Sequence, residues 1–261
     1  EIFGQNHAEI NAINNAKKKI DKEFKSFSEL VLICTLEPCS HVGKTGSCAQ
    51  AIAKSGIKKV VIGSIDPNPL VSGNGIKILE ENGIQVEKGI CSDLVERQNR
   101  FFFFKQKNMR PYLTVKIASS ADGKSHLNNT ERTIITSEAS RDDVQILRAE
   151  RDAILTGGNT LRSDNPRMNA RVSFASNQPK KILLSSKEFN KNGFQFFNED
   201  SVDVHTSSNL EEVINFYKNS DLCSILIEAG PSLVKSFIET DMVDEIIVYT
   251  SKKILGENGV N

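Results

Sequence analysis

Leu30–Val31–Leu32–Ile33–Cys34–Thr35–Leu36–Glu37–Pro38–Cys39 decides the fold of the first half of the chain. Its opening four residues are all apolar, the pattern of a buried strand. Pro38, which has no amide proton to give a sheet, should end that strand. Cys39 is therefore expected just beyond a strand terminus, where a side chain leaves the core and becomes available for chemistry. Upstream, Ile10, Ile13, Ala16 and Ile20 fall at helical spacing, so His7 to Ile20 is expected to be an amphipathic helix, with Lys17 to Lys19 suiting its negative end. Downstream, Cys48 to Ser55 reads as a helix stopped by Gly56, and Lys59 to Ile65 as a second buried strand ending at Asp66–Pro67–Asn68–Pro69. A helix at Gly75 to Glu81 closed by Gly83, a strand at Ile84 to Ile90 and a helix at Leu94 to Lys107 continue the alternation. The fold class expected is α/β.

Four adjacent aromatics, Phe101 to Phe104, cannot share one helical face, so that helix is expected to be covered on several sides, between two bodies. A junction is placed near Arg110–Pro111. Beyond it the alternation restarts: strands at Tyr112 to Ser119, Ala153 to Thr156, Lys181 to Ser185, Ser224 to Ile227 and Glu245 to Thr250, with helices at Ser137 to Glu150, Leu210 to Lys218 and Ser232 to Glu239. Lys187 to Asn198 reads as a polar and Phe-mixed connection. A chain of 261 residues exceeds the usual domain of ~100–150 residues, which also favours two domains, set at 1–108 and 109–261.

Lysine plus arginine and aspartate plus glutamate both number 33, so no net field recruits nucleic acid or an anionic membrane, and a small-molecule partner is expected. No apolar run approaches the ~20 residues of a membrane span. Five irregularly spaced cysteines do not make a disulfide framework and point to a reducing, cytoplasmic compartment. The chain opens on Glu1 rather than Met, so a preceding segment is expected to be missing.

His7, Cys39 and Cys48 supply one imidazole and two thiolates, a donor set suited to Zn²⁺. Three protein ligands leave a fourth position for water, which the metal activates near neutral pH, and a carboxylate two residues from the histidine can move its protons. Glu9 is that carboxylate. Taken singly, such a histidine is ordinarily a helix-end residue and such a cysteine a packed thiol. Cys34, Cys91 and Cys223 keep that plain reading, although Cys34 as a fourth ligand would make the metal structural. Gly43–Lys44–Thr45 is not a phosphate loop, because Pro38 stands where that motif needs glycine.

His7–Ala8–Glu9 followed by Pro38–Cys39 and Cys48 matches the His-x-Glu and Pro-Cys elements of the zinc nucleobase deaminases. The eight residues between the cysteines, Ser40–His41–Val42–Gly43–Lys44–Thr45–Gly46–Ser47, resemble those of one branch, the diaminohydroxyphosphoribosylaminopyrimidine deaminases of riboflavin biosynthesis. That resemblance implies a cytidine-deaminase-like domain, with His41 and Lys44 on the substrate and weaker roles for Asp66 and Asn68. In the second half no Gly-x-Gly-x-x-Gly follows a strand, so a Rossmann domain is not indicated. Thr114 to Lys124, Thr136–Ser137–Glu138–Ala139, Gly157–Gly158–Asn159–Thr160 and Asp164–Asn165–Pro166 resemble the riboflavin-pathway reductases. This implies a dihydrofolate-reductase-like fold using NADPH, although the residues themselves do not separate NADPH from NADH.

Carried over by position, the resemblance puts Ala118, Thr160, Asp164 and the segment Gly230, Pro231, Ser232, Leu233, Val234, Lys235 and Ser236 on the cofactor. It puts Arg148, Met168, Arg171 and Glu228 on the sugar-phosphate substrate. Gly230–Pro231–Ser232 opens a helix after a buried strand, which suits a cofactor phosphate, and the two arginines offer forked donors to a substrate phosphate. Arg132 and Ile134 depart from the serine and tryptophan usual in that family. The resemblance also implies that the family's first helix and two strands, and its closing strands, lie beyond the two ends, and that the protein is a homo-oligomer. Two rivals stay open. A nucleic-acid deaminase would need a basic channel or stacking aromatics, and the chain has no Trp. A deaminase with a degenerate reductase half, or a non-catalytic zinc-stabilised protein, would lack NADPH binding or carry a fourth ligand.

Overall fold

The computed structural model describes residues 6–20, 22–41, 46–69, 71–128, 133–175, 177–187, 190–198 and 202–260. The chain divides into two compact units, Glu1–Lys107 and Asn108–Asn261.

In the first unit α1 (Ala8–Lys17) is followed by β1 (Val31–Leu36), α2 (Cys48–Ser55), β2 (Lys59–Ser64), α3 (Asn74–Glu81), β3 (Gln85–Lys88), α4 (Ser92–Gln98) and α5 (Arg100–Asn108). The three strands form a parallel sheet in the order β1-β2-β3. Ala49 and Ile52 of α2, Val60 and Ile62 of β2 and Leu79 of α3 are fully buried in one cluster, each large aliphatic contributing roughly 1.5–3 kcal/mol. α2 starts where the Ser47 hydroxyl accepts the Gln50 N–H and stops at Gly56, whose φ of 94° is left-handed. On the opposite face, Gly63 leaves no room for a side chain, since a Cβ would lie 2.6 Å from the Thr35 carbonyl oxygen and 2.7 Å from Val95.

Two expectations for this unit need correction. The strand Leu30 to Ile33 is buried on one face only: Leu32 and Cys34 are in the core, whereas Val31 and Ile33 are 49% and 75% exposed, because helix α2 and its neighbours pack on a single side of β1. The single helix Leu94 to Lys107 is two helices. Asn99 leaves helical geometry at φ −105°, ψ 24°, and its Nδ2 donates to the Val95 carbonyl at 2.9 Å, a local bond that competes with the helical ladder. Phe101 to Phe104 in α5 are each partly buried.

The second unit runs β4 (Tyr112–Ser119), β5 (His126–Leu127), α6 (Glu138–Ala149), β6 (Ala153–Gly157), α7 (Gly158–Asp164), β7 (Lys180–Leu184), β8 (Val202–His205), α8 (Leu210–Phe216), β9 (Ser224–Ile227), α9 (Pro231–Ile238), β10 (Glu245–Thr250) and β11 (Gly259–Val260). Six strands form one all-parallel sheet in the order β10-β4-β9-β6-β7-β8, and β5 pairs with β11. Alternation along the strands feeds two cores, as a sheet covered on both faces requires. Leu113, Val115, Leu155, Ile225 and Ile227 pack with Val213, Ile214, Val234 and Phe237 of α8 and α9. Ile154, Leu183 and Leu226 face the other way, onto Leu147 of α6 and Leu161 of α7. The polar and Phe-mixed segment Lys187 to Asn198 is more than a connection, because Phe196 is wholly buried in that second core.

Candidate functional site

In the first unit the ends of three elements deliver three soft ligands to one point. His7 is the residue that begins α1, Cys39 follows β1 by three residues, and Cys48 opens α2. His7 Nδ1 lies 3.3 Å from Cys48 Sγ and 3.7 Å from Cys39 Sγ, and the three donor atoms all fall within 4.8 Å of one another. Tetrahedral zinc with bonds of ~2.0–2.3 Å needs ligand atoms roughly 3.5–3.8 Å apart, so the donors fit the ion in both type and spacing. His7 is exposed, Cys39 half-buried and Cys48 buried, so the group is closed from below and open at the histidine. The Cys39 thiol is pulled down to about 5, chiefly by the hydrogen bond from the Cys48 thiol, and Cys48 is pushed up as the donor of that bond and by burial. Glu9, in the first turn of α1, lies close enough to Cys48 to raise its thiol further. Cys34 is pushed up to about 12, first by burial and then by Glu9, and stands outside the donor cluster as a packed thiol.

His41, expected on the substrate, is exposed, and its charge is felt by both Cys39 and Asp66. Lys44 lies outside the described residues. Asp66 is buried at 9% exposure; burial pushes its carboxyl up, and one oxygen accepts the Asn68 N–H at 2.8 Å.

The second site gathers at the carboxyl ends of the parallel strands, where open α/β sheets bind ligands. Arg148 Nε and Nη2 donate to the two oxygens of Glu228 at 2.6 and 3.0 Å, and Lys116 Nζ stands 3.4 Å from the same carboxylate. Burial alone would raise the Glu228 carboxyl, but Arg148 and then Lys116 outweigh it and hold it below the usual range. Arg148 Nη1 also donates to the Asn169 carbonyl at 3.3 Å, and Arg171 Nη1 to the Asn169 side chain at 2.9 Å, so the two arginines converge on one residue. Met168 is 4% exposed with its side chain in the core, and its φ of 50° leaves the main chain as its means of contact. Lys116 and Asn169 are the members that sequence reasoning missed.

Facing this cluster, α9 opens at the end of β9. The Gly230 N–H donates to Thr160 Oγ1 of α7 at 3.2 Å, and a Cβ at Gly230 would meet nothing closer than 3.9 Å. Pro231 has no N–H and the Gly230 N–H is spent on Thr160, so the Ser232 and Leu233 amides of this roomy helix start are the ones that could hold an anionic cofactor group. The carried-over segment divides here. Gly230 to Leu233 form the helix start, whereas Val234 is turned into the core, Lys235 is paired with Glu239 at 3.7 Å, and the Ser236 hydroxyl donates to the Ser232 carbonyl. Ala118 sits in β4 opposite Tyr249 of β10, and Asp164 is the exposed last residue of α7. Ile134 is 55% exposed, and Arg132 lies outside the described residues. No helix among the described residues is long and apolar enough to cross a membrane.

Comparison with known proteins bears on both units. Residues 111–261 match the family described as RibD C-terminal domain, and residues 4–64 match the cytidine and deoxycytidylate deaminase zinc-binding region. The riboflavin biosynthesis protein RibD of Buchnera aphidicola subsp. Baizongia pistaciae is 35% identical over 97% of this chain and 76% of its own length. The solved structure of Acinetobacter baumannii RibD, form 1, is 32% identical with a TM-score of 0.87, covering 99% of this chain and 77% of its own. A Thermotoga maritima structure described as a diaminohydroxyphosphoribosylaminopyrimidine deaminase/5-amino-6-(5-phosphoribosylamino)uracil reductase is 32% identical with a TM-score of 0.86, covering 99% of this chain and 76% of its own.

Proposed function

Because the chain belongs to the RibD family of riboflavin biosynthesis proteins and is a bifunctional deaminase and reductase, we propose that residues 1–108 form its deaminase domain and residues 109–261 its reductase domain. The substrate in this reading is 2,5-diamino-6-(5-phosphoribosylamino)pyrimidin-4(3H)-one, deaminated to the pyrimidinedione and then reduced from ribosyl to ribityl. The observation that carries it is the meeting of His7, Cys39 and Cys48 at one point with Glu9 alongside.

His7, Cys39 and Cys48 hold zinc, which supplies Lewis-acid activation of a water molecule near neutral pH. Glu9 takes the proton from the attacking water, gives it to the ring nitrogen beside the reacting carbon, and later protonates the leaving amine as ammonia. His41 and Lys44 bind the substrate from the segment between the two cysteines. The new carbon–oxygen bond replaces the carbon–nitrogen bond, so no redox change is involved.

In the second domain bound NADPH would supply the hydride for C1′ of the ring-opened ribosylamino group, with solvent supplying the balancing proton to its nitrogen. Gly230 to Leu233 and Thr160 hold the cofactor at the start of α9, with Ala118 and Asp164 beside it and Val234 to Ser236 behind. Arg148, Arg171 and the main chain at Met168 take the sugar phosphate. Glu228 orients the sugar hydroxyls, and Lys116 with Arg148 keeps its carboxylate charged. The balanced charges of the chain suit a small-molecule substrate and no nucleic acid, and we place the protein in the cytoplasm as a homo-oligomer by family analogy. Separate recording of ammonia release and NADPH oxidation tests the whole reading.

A further inference from the structure

Glu37 stands between β1 and the ligand Cys39, and its side chain is buried, with the residue 3% exposed. Its two carboxylate oxygens accept four main-chain N–H groups from two other segments. Oε1 takes Gly75 at 2.8 Å and Ile76 at 3.2 Å; Oε2 takes Gly73 at 2.9 Å and Asp66 at 3.3 Å. Its own N–H donates to the Ser64 carbonyl at 3.0 Å. One side chain thus ties the strand end that carries Cys39 to the turn after β2 and to the start of α3. From the other side Cys39 is held by α2: its carbonyl accepts Ser47 Oγ at 2.9 Å and the Ala49 N–H at 3.1 Å, and its sulfur accepts the Cys48 N–H at 3.3 Å. Gly75 completes the joint, because a Cβ there would drive into the Pro38 carbonyl oxygen and lie 3.1 Å from Glu37 Oε1.

A carboxylate is the side chain this joint requires. It offers about four acceptor positions and no donor, matching four N–H groups, and its charge suits the positive end of α3. Glutamine has the same shape but would turn an NH₂ group against two of those N–H groups.

We propose that Glu37 is the positioning residue of the metal centre, fixing Cys39 against Cys48 and holding the Asp66–Asn68 turn at the same mouth. This rests on reading His7, Cys39 and Cys48 as the metal ligands. Residues that orient metal ligands typically change affinity by ~10–100-fold when altered.

The test uses the full chain carrying Glu37→Gln and, separately, Gly75→Ala, which disturbs the joint while leaving the carboxylate in place. Zinc affinity is measured by competition with a chromophoric chelator, and ligand geometry by the thiolate-to-metal absorption of the Co²⁺-substituted protein. NADPH oxidation with the deaminated pyrimidinedione checks the rest of the chain. The expected result is a ~10–100-fold loss of zinc affinity and an altered cobalt band in both variants, with NADPH oxidation unchanged. Wild-type zinc affinity and cobalt spectrum in both variants, with only a lowered melting temperature, overturn the proposal. If Glu37→Gln does not fold, Gly75→Ala decides by the same two readouts. Failure of the unaltered chain to bind zinc or cobalt overturns the ligand reading itself, and the positioning role with it.

Discussion

Arg148 grips the buried carboxylate of Glu228 through two parallel hydrogen bonds, Nε at 2.6 Å and Nη2 at 3.0 Å. The pair is almost enclosed, with side-chain exposures of 11% and 6%, and Lys116 of β4 shares the carboxylate. Removing one member therefore leaves a buried charge short of its partner. Arg148→Ala is expected to cost about 3–5 kcal/mol of second-unit stability and to abolish NADPH oxidation while ammonia release persists. The pH dependence has a definite sign. The depressed Glu228 carboxyl contributes stability above the unfolded carboxylate value of ~4.3 and loses it as pH falls through the folded value. Without Arg148 the folded value rises, so acid unfolding should begin at higher pH, as urea titrations at neutral and mildly acidic pH would show.

In the proposed mechanism Glu9 carries protons and is not a ligand, so Glu9→Gln should retain stoichiometric zinc while ammonia release drops ~10²–10⁴-fold. Metal analysis beside an ammonia assay checks it. Unchanged ammonia output would remove Glu9 from that role.

Prolonged dialysis against a zinc chelator should abolish ammonia release and leave NADPH oxidation on the pyrimidinedione intact. Restoring Zn²⁺ should return the first activity. Loss of both activities would mean that the metal supports the second unit as well.

Thr160 Oγ1 accepts the N–H of Gly230 at the start of α9. Thr160→Val keeps the size and removes the acceptor, worth ~0.5–1.5 kcal/mol. KM for NADPH should therefore rise up to ~10-fold with kcat much less affected, measured by initial rates at saturating pyrimidine.

The three candidate metal donors that meet in the first unit were legible because each sits at the end of an element that its neighbours announce: His7 before an amphipathic helix, Cys39 after a proline-stopped strand, and Cys48 at the first turn of a glycine-stopped helix. Lys116 was not, because a lysine within an apolar strand gives no sign of which strand end it faces; only the register of β4 against β9 puts it beside Glu228. Asn169 lies in irregular chain between α7 and β7, where no periodicity operates. The carried-over stretch Gly230 to Ser236 mixes helix-start amides with Val234, which the 3.6-residue turn sends to the core. Phe196 escaped notice because Phe194, Phe196 and Phe197 follow neither helical nor strand spacing among their polar neighbours, although Phe196 fills the second core. The break at Asn99 depends on a single side-chain bond, too local for hydrophobic spacing to register.

The most direct test supplies the diamino-phosphoribosylaminopyrimidine to the protein with Zn²⁺ and NADPH and follows ammonia and NADPH in one vessel. Ammonia should appear first, with NADPH oxidation following after a lag and reaching one equivalent per ammonia. Ammonia without NADPH oxidation would contradict the assignment of the second unit. NADPH oxidation without ammonia would contradict the assignment of His7, Cys39, Cys48 and Glu9.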